Sequence, residues 1–336
     1  MEHRKDPAAE PSGIRGVIGD GIRGMRREPG AVAAYIALIV VIGLWMTRAH
    51  NVTALSLINQ LNVPLVMASV GMAIVLIAKG IDLSMGAMVV LAEFVTLSWT
   101  VHLPSPWLAA LAAVVVTAIV GVVNGFMVGF LKLPALVVTL ATGSIASGVT
   151  LFVAPTSLHD TLPVSFMNVA LTLIGPVPLV LILAFALPAL VWFPIRRSRA
   201  GIALMAVGGD EGAAFVSGLK PNRVQMMAYV LSGVFAGFAG ILMAMLNGGG
   251  SPSTAPTYTL SAIAAAVLGG VALTGGRGSI AGAIAGAFIL TFLTVLLQFF
   301  QSDPNWSYIF QGGILIIVVG VPFIVNQIRA RRVVKA

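Results

Sequence analysis

The sequence predicts an all-α, polytopic membrane protein of about ten transmembrane helices with both termini in the cytosol. Three observations carry this. The 336 residues are 58% hydrophobic and only 9% charged, where soluble domains carry roughly 25% charged residues. The apolar runs are long enough to cross a hydrocarbon core of about 30 Å, which takes about 20 residues of helix, and none shows the alternation of spanning strands. Finally, basic residues fall almost wholly on one side of the implied topology.

In chain order, residues 1–30 form a polar cytosolic tail, with Arg15, Arg23, Arg26 and Arg27 leading into the first apolar run. No small-residue cleavage site follows Trp45, so this run is read as a retained span rather than a secretory signal. Residues 31–326 make up the membrane domain, with spans at 31–47, 57–78, 84–101, 107–131, 135–154, 176–195, 224–247, 259–274, 279–300 and 307–326. Residues 327–336 are a basic cytosolic tail. With the N-terminus inside, Arg48 is the one basic residue outside, and the other eighteen of the nineteen lie on the cytosolic side, as lysine and arginine in short loops require. The outside loops are short apart from Pro155 to Gly175, which holds His159, Asp160 and a predicted surface helix from about Ser165 to Leu173.

The net charge of +8 does not point to nucleic acid, because the cations sit at the ends of apolar runs. Cysteine is absent, which excludes disulfides, thiolate metal sites and cysteine nucleophiles. His3, His50, His102 and His159 are scattered without ligand spacing, and no serine sits in GxSxG. No catalytic residues and no metal site are assigned. No phosphate-binding loop of the form GxxxxGK followed by Ser or Thr is present; Gly275-Gly276-Arg277-Gly278-Ser279 reads as a tight cytosolic turn. If ATP drives the protein, another chain binds it.

Small residues recur at four-residue spacing in Gly233, Gly237 and Gly240 and in Gly278, Gly282 and Gly286. Such spacing lets helix backbones approach closely, inside one subunit or between two.

The one long polar interruption of the interior is Arg196 to Pro221, RRSRAGIALMAVGGDEGAAFVSGLKP, within a cytosolic loop at 196–223. Asp210 can cap a short helix with Glu211 in its first turn. Gly218 suits a left-handed residue beyond its end, and Pro221 prevents continuation. Ala213, Ala214, Phe215 and Val216 would join Glu211 on its exposed face. At about two turns the helix has no intrinsic stability, so it packs on its own membrane domain or in a partner's cleft. Lys79-Gly80-Ile81-Asp82-Leu83-Ser84 is a second cytosolic turn, where Asp82 or Ser84 can cap the next helix.

Glu93 is the odd residue. Ten positions past Leu83 it lies about 15 Å along a helix, near the bilayer midplane. Intramembrane carboxylates usually face a cavity or a polar partner, and Asn62, Asn124, Thr139, Thr142, Ser144 and Ser147 are candidates to line a solute pathway with it. A carboxyl neutralised by burial, or one wetted by a shifted boundary, remains open.

Three ordered segments resemble the permease subunits of bacterial ATP-binding cassette importers, in the branch of ribose, xylose, arabinose and galactose permeases. They are GIDLSMGAMVVLA (80–92), NGFMVGFLKLPALVVTLATGSIASGV (124–149), and RAGIALMAVGGDEGAAFVSG (199–218) continued by YTLSAIAAAVLGGVALTGGRGS (258–279). The resemblance implies translocation of a small polar solute, a monosaccharide or polyol, across the bacterial inner membrane. It implies a second permease copy, cytosolic ATP-binding subunits that use ATP-Mg, and a periplasmic solute-binding protein, with no cofactor on this chain. Coupling would run through Gly201, Gly208, Gly209, Ala213, Ala214 and Gly218, joined by Asp210 and Glu211. The chain departs from the pattern at Lys79, commonly glycine, at Asp210, usually asparagine, and at Thr259 and Ser261, where many relatives carry carboxylates. The other readings are an ion-coupled carrier, or an importer permease for nucleosides or branched-chain amino acids.

Overall fold

The computed structural model describes residues 62–299 apart from Pro155, Asp160, Thr161, Pro176, Ser253 and Thr254, together with Ile309, Gly312, Gly313 and Ile316. The N-terminal tail, the span 31–47, Arg48, the start of the span 57–78, nearly all of the span 307–326 and the basic tail lie outside the described residues.

The described chain is mostly helical, with eleven α-helices. They are α1 (Val63–Ile77), α2 (Met85–Trp99), α3 (Pro106–Gly129), α4 (Ala135–Val153), α5 (Val164–Leu171), α6 (Leu179–Arg197), α7 (Arg199–Gly209), α8 (Glu211–Val216), α9 (Pro221–Asn247), α10 (Ala255–Leu268) and α11 (Ile280–Phe299). Among the described residues α3, α4, α6 and α9 are long and apolar enough to cross a membrane, while α1, α2 and α10 are shorter apolar helices.

The 27-residue α9 is the central post, packed against α3, α1 and α2. All fifteen residues of α1 are buried, as a helix apolar on every side must be. α10 and α11 pack on each other and on α1, and α4 lies against α2. α3, α4 and α6 turn apolar faces outward, with Val115, Ile119, Leu140, Ile145 and Leu190 exposed, the pattern of a surface solvated by lipid.

Glycines set the closest approach. A Cβ at Gly129, Gly125 or Gly121 of α3 would strike the backbone of Asn222, Met226 or Tyr229, while Gly233 and Gly237 of α9 face Thr117 and Val114. The numbers fall as their partners rise, so α3 and α9 run antiparallel through one small-residue seam. Gly240 abuts Val89 and Ala92 of α2, Gly286 abuts Ala265 of α10, and Gly282 abuts Gly269 in the turn just past α10. Of the two uses open for these glycines, contact within one subunit is the one they make.

Two-residue strands close the connections. β1 (Leu158–His159) pairs antiparallel with β4 (Gly249–Gly250), joining Leu158 to Gly250 and His159 to Gly249. β2 (Leu173–Ile174) and β3 (Val177–Pro178) form a small hairpin after α5.

The helix expected over 259–274 instead spans Ala255–Leu268. Gly270 adopts φ 88° and Gly275 and Gly276 follow at 83° and 72°, so the chain turns where a continued helix was expected. The 196–223 stretch is itself largely helical: α6 runs to Arg197, and Ser198 starts α7 by accepting a hydrogen bond from Ala200 N at 3.2 Å.

Candidate functional site

The connection from α1 to α2 turns inward. Lys79 takes a left-handed φ of 65°, and Gly80 follows it so closely under Tyr229 that a Cβ would lie 2.7 Å from the phenol oxygen. The next residues run up inside the bundle. Asp82 Oδ1 accepts hydrogen bonds from Ser84 Oγ at 2.5 Å and Ser84 N at 3.0 Å, and Oδ2 accepts from Ser232 Oγ of α9 at 2.7 Å. Ser84 Oγ accepts from Asn124 Nδ2 of α3 at 2.9 Å, and Asn124 Oδ1 accepts from Thr142 Oγ1 of α4 at 2.6 Å. Thr139 Oγ1 accepts from Leu83 N at 3.1 Å, and the Tyr229 hydroxyl donates to Ile81 O at 3.3 Å.

Asp82, Ser84, Asn124, Thr139 and Ser232 are wholly buried. Each has a partner, so the network meets the condition under which buried polar groups stabilise rather than destabilise. It ties the start of α2 to α3, α4 and α9 at once. Neither Asp82 nor Ser84 caps α2 through its side chain; the cap comes from another helix, where Thr259 Oγ1 of α10 accepts from Gly86 N at 2.9 Å. Local sequence could not show this, because donor and acceptor are 173 positions apart.

Glu93 stands apart from that network. It is wholly buried beside Gly240 of α9 and under Gly250 of β4, past the middle of α9, because α2 begins level with Ser232 inside the bundle. Neither carboxyl oxygen closes a hydrogen bond among the described residues, although Asn247 approaches as a donor. A buried polar group left so costs about 1–3 kcal/mol, which singles it out.

The seven pathway candidates therefore divide, with Ser147 half-buried on α4. Asn124, Thr139 and Thr142 gather around Asp82 and Ser84. Asn62 accepts from the Tyr258 hydroxyl at 2.8 Å. Glu93 lies under β4, and Ser144 is exposed on the outer face of α4 with its hydroxyl returned to Leu140 O at 3.0 Å. Sequence reasoning did not name Ser232, Tyr229 or Tyr258 for this region; their only signal is polarity inside apolar helices.

The cytosolic stretch divides too. Gly201 packs on Ile195 and Arg196, and a Cβ at Gly208 would strike Ile77 O, with Gly276 N 2.6 Å away. Leu204 and Val207 are buried, so α7 is seated on its own membrane domain. Asp210 caps α8 by accepting from Ala213 N at 2.9 Å, and Gly218 follows at φ 82°. Ala214, expected on the exposed face, is buried at 4%, because it is the face by which this six-residue helix is held. Phe215 and Val216 are 69% and 87% exposed, Ala213 is exposed, and no neighbour lies within 4 Å of a Cβ built on Gly209 or Gly218. Glu211 pairs with Lys132 at 2.7 Å, a surface ion pair of small worth. No group of histidine and carboxylate side chains among the described residues could hold a metal ion.

A family model described as the permease component of branched-chain amino acid transport systems matches residues 53–319. A galactose/methyl galactoside import permease protein of Salmonella typhimurium is 31% identical over 312 residues, covering 85% of this chain and 92% of the relative. A ribose import permease protein of Escherichia coli is 30% identical over 294 residues, covering 84% and 91%. A D-allose transport system permease protein of Escherichia coli is 29% identical over 286 residues, covering 84% and 86%. No solved structure matches the chain.

Proposed function

Because the chain belongs to the family of branched-chain amino acid transport system permease components, among relatives that import sugars, we propose that it carries one monosaccharide or polyol through a bacterial inner membrane under the drive of a separate ATPase. It is a permease component of the ATP-binding cassette sugar-importer family, a transport subunit without a catalytic ATPase of its own. Ten spans with both termini in the cytosol, a second permease copy and a periplasmic solute-binding protein complete the assembly. ATP-Mg acts on the partner subunits.

The observation that supports coupling through 196–223 is the contrast between α7 and α8. α7 is buried against α1 and the 275–276 turn, whereas α8 presents Phe215 and Val216 outward. Six residues of helix are too few to hold together alone; Asp210 and Ala214 hold them, and Gly209, Asp210, Glu211, Ala213 and Gly218 leave the rest of the surface to a partner. Closure of the ATPases on nucleotide shifts α8, and α7 passes the shift to Ile77 and Gly276, biasing one packing of the bundle over another.

On the opposite side, Gly250 covers Glu93 while paired to Leu158. Parting β1 from β4 is the motion that wets this carboxylate, which would then accept hydrogen bonds from a polyhydroxylated solute, with Tyr258 of α10 and its hydrogen-bond partner Asn62, the residue before α1, as further polar groups on that side. Asn124, Thr139 and Thr142 border the path through α3 and α4.

The experiment is the double substitution Phe215→Asp with Val216→Asp. ATP-driven uptake and co-purification of the ATPase should both be lost while membrane insertion stays normal. Unchanged uptake removes α8 from the coupling path.

A further inference from the structure

Between the end of α3, the 130–134 turn, α8 and the start of α9 lies an open cleft of about 650 Å³. Its wall carries three cations, Lys132, Lys220 and Arg223, and a single carboxylate, Glu211, which is already paired with Lys132. No carboxylate among the described residues pairs with Lys220 or Arg223. The cleft thus holds two uncompensated positive charges.

Its apolar side is equally specific. Phe130 lines the cleft and stacks on Phe126 of α3 with ring centroids 5.7 Å apart. Both rings are exposed, and the exposed apolar stripe continues along α3 through Val122, Ile119 and Val115. A positively charged cleft therefore opens directly onto the end of a long greasy helix face. A soluble anion satisfies the first feature only. An acidic protein segment satisfies the charge but has no use for the stripe. One molecule that matches both is a phospholipid with a net negative head.

We propose that this cleft binds the headgroup of one anionic phospholipid, whose acyl chains lie along Phe126 and Phe130. Basic pockets between helices at the cytosolic membrane surface are suited to such headgroups. The phosphate engages Lys220 and Arg223 and competes with Glu211 for Lys132. Because Glu211 is the first residue of α8, occupancy would set how firmly that helix is held. This last consequence rests on the coupling reading above; the lipid site does not.

The test uses the full chain in discs of phosphatidylcholine containing a minority of phosphatidylglycerol, with retained lipid counted by native mass spectrometry. Wild type should keep phosphatidylglycerol in preference to phosphatidylcholine. Apparent affinity should fall about fivefold for Lys220→Gln or Arg223→Gln and about 25-fold for both. Lys220→Arg should keep it, and so should Arg197→Gln, whose guanidinium lies 4.0 Å over the Phe193 ring of α6. Helix content by circular dichroism identifies any variant that fails to fold, and the wild-type preference for phosphatidylglycerol over phosphatidylcholine then decides the case. Equal retention of the two lipids, or no change in the double variant, overturns the site. Displacement by millimolar inorganic phosphate would make it a soluble-anion site, and so would also overturn it. Loss of ATPase co-purification in the double variant with lipid retention intact would assign the cleft to the partner protein instead.

Discussion

Gly250 lies against the carboxyl group of Glu93: a Cβ built at position 250 would come within 2.8 Å of Glu93 Cδ and 3.1 Å of both oxygens. One backbone position in the α9–α10 connection thus covers a wholly buried carboxyl on α2, and it is held there by its pairing with Leu158. Gly250→Ala should therefore cost about 1–3 kcal/mol by overpacking, read as a lower melting temperature in detergent together with reduced uptake. Glu93→Ala in the same chain should restore most of the melting temperature, since it removes the atoms that clash. Failure of that rescue would mean the two residues do not meet.

Thr259 accepts from Gly86 N across the bundle. Thr259→Val keeps the shape and removes the acceptor, so it should destabilise by about 1 kcal/mol, the usual worth of a lost helix cap. Thr259→Ser should be nearly neutral. Equal melting temperatures for the valine and serine variants would show that this hydrogen bond does not hold α2.

Asp82 accepts three hydrogen bonds, from Ser84 Oγ, Ser84 N and Ser232 Oγ. Asp82→Ala strands all three donors in a dry interior and should cost about 3 kcal/mol or more, at about 1–3 kcal/mol for each buried group left unpaired. Asp82→Asn keeps one acceptor oxygen and should fall between. A thermal-shift series over wild type, Asn and Ala checks the order; an alanine variant as stable as wild type would remove the network from the account.

Gly208 and Gly209 are neighbours with opposite surroundings. A Cβ at Gly208 would strike Ile77 O, while a Cβ at Gly209 meets nothing within 4 Å. Gly208→Ala should unseat α7 and lower both stability and uptake. Gly209→Ala should leave stability within about 0.5 kcal/mol of wild type, as expected of a surface change, and any loss of ATP-driven uptake it causes would then be a loss of partner contact. Destabilisation of both variants alike would contradict the separate roles of α7 and α8.

Much of this was legible in the residues, for reasons that are local. Apolar runs placed α2, α3, α4, α6, α9 and α11 to within a few positions, because helix length in a bilayer is set by thickness. Asp210, Gly218 and Pro221 marked the limits of α8, because capping needs only neighbours in sequence. The polar hub was hidden. Asp82 read as a helix cap, and its partners lie 40 to 150 positions along from residues 82–84, on helices whose rotation no single periodicity reveals. Ser144 read as a companion of Thr142, yet two positions along a helix turn it to the opposite face, where it is exposed. Glycine spacing foretold close packing but not its partner; only the facing residues Asn222, Met226 and Thr117 decide that the seam lies inside the chain.

The central claim is that α8 hands work from a separate ATPase to the membrane bundle, and ATP-driven uptake in vesicles bearing the assembled importer tests it most directly. Phe215→Asp with Val216→Asp should abolish uptake and the solute-stimulated part of ATP hydrolysis. The chain's melting temperature should stay unchanged, because both side chains are exposed. Uptake at the wild-type rate, or uptake driven by an ion gradient with no ATPase present, would contradict it.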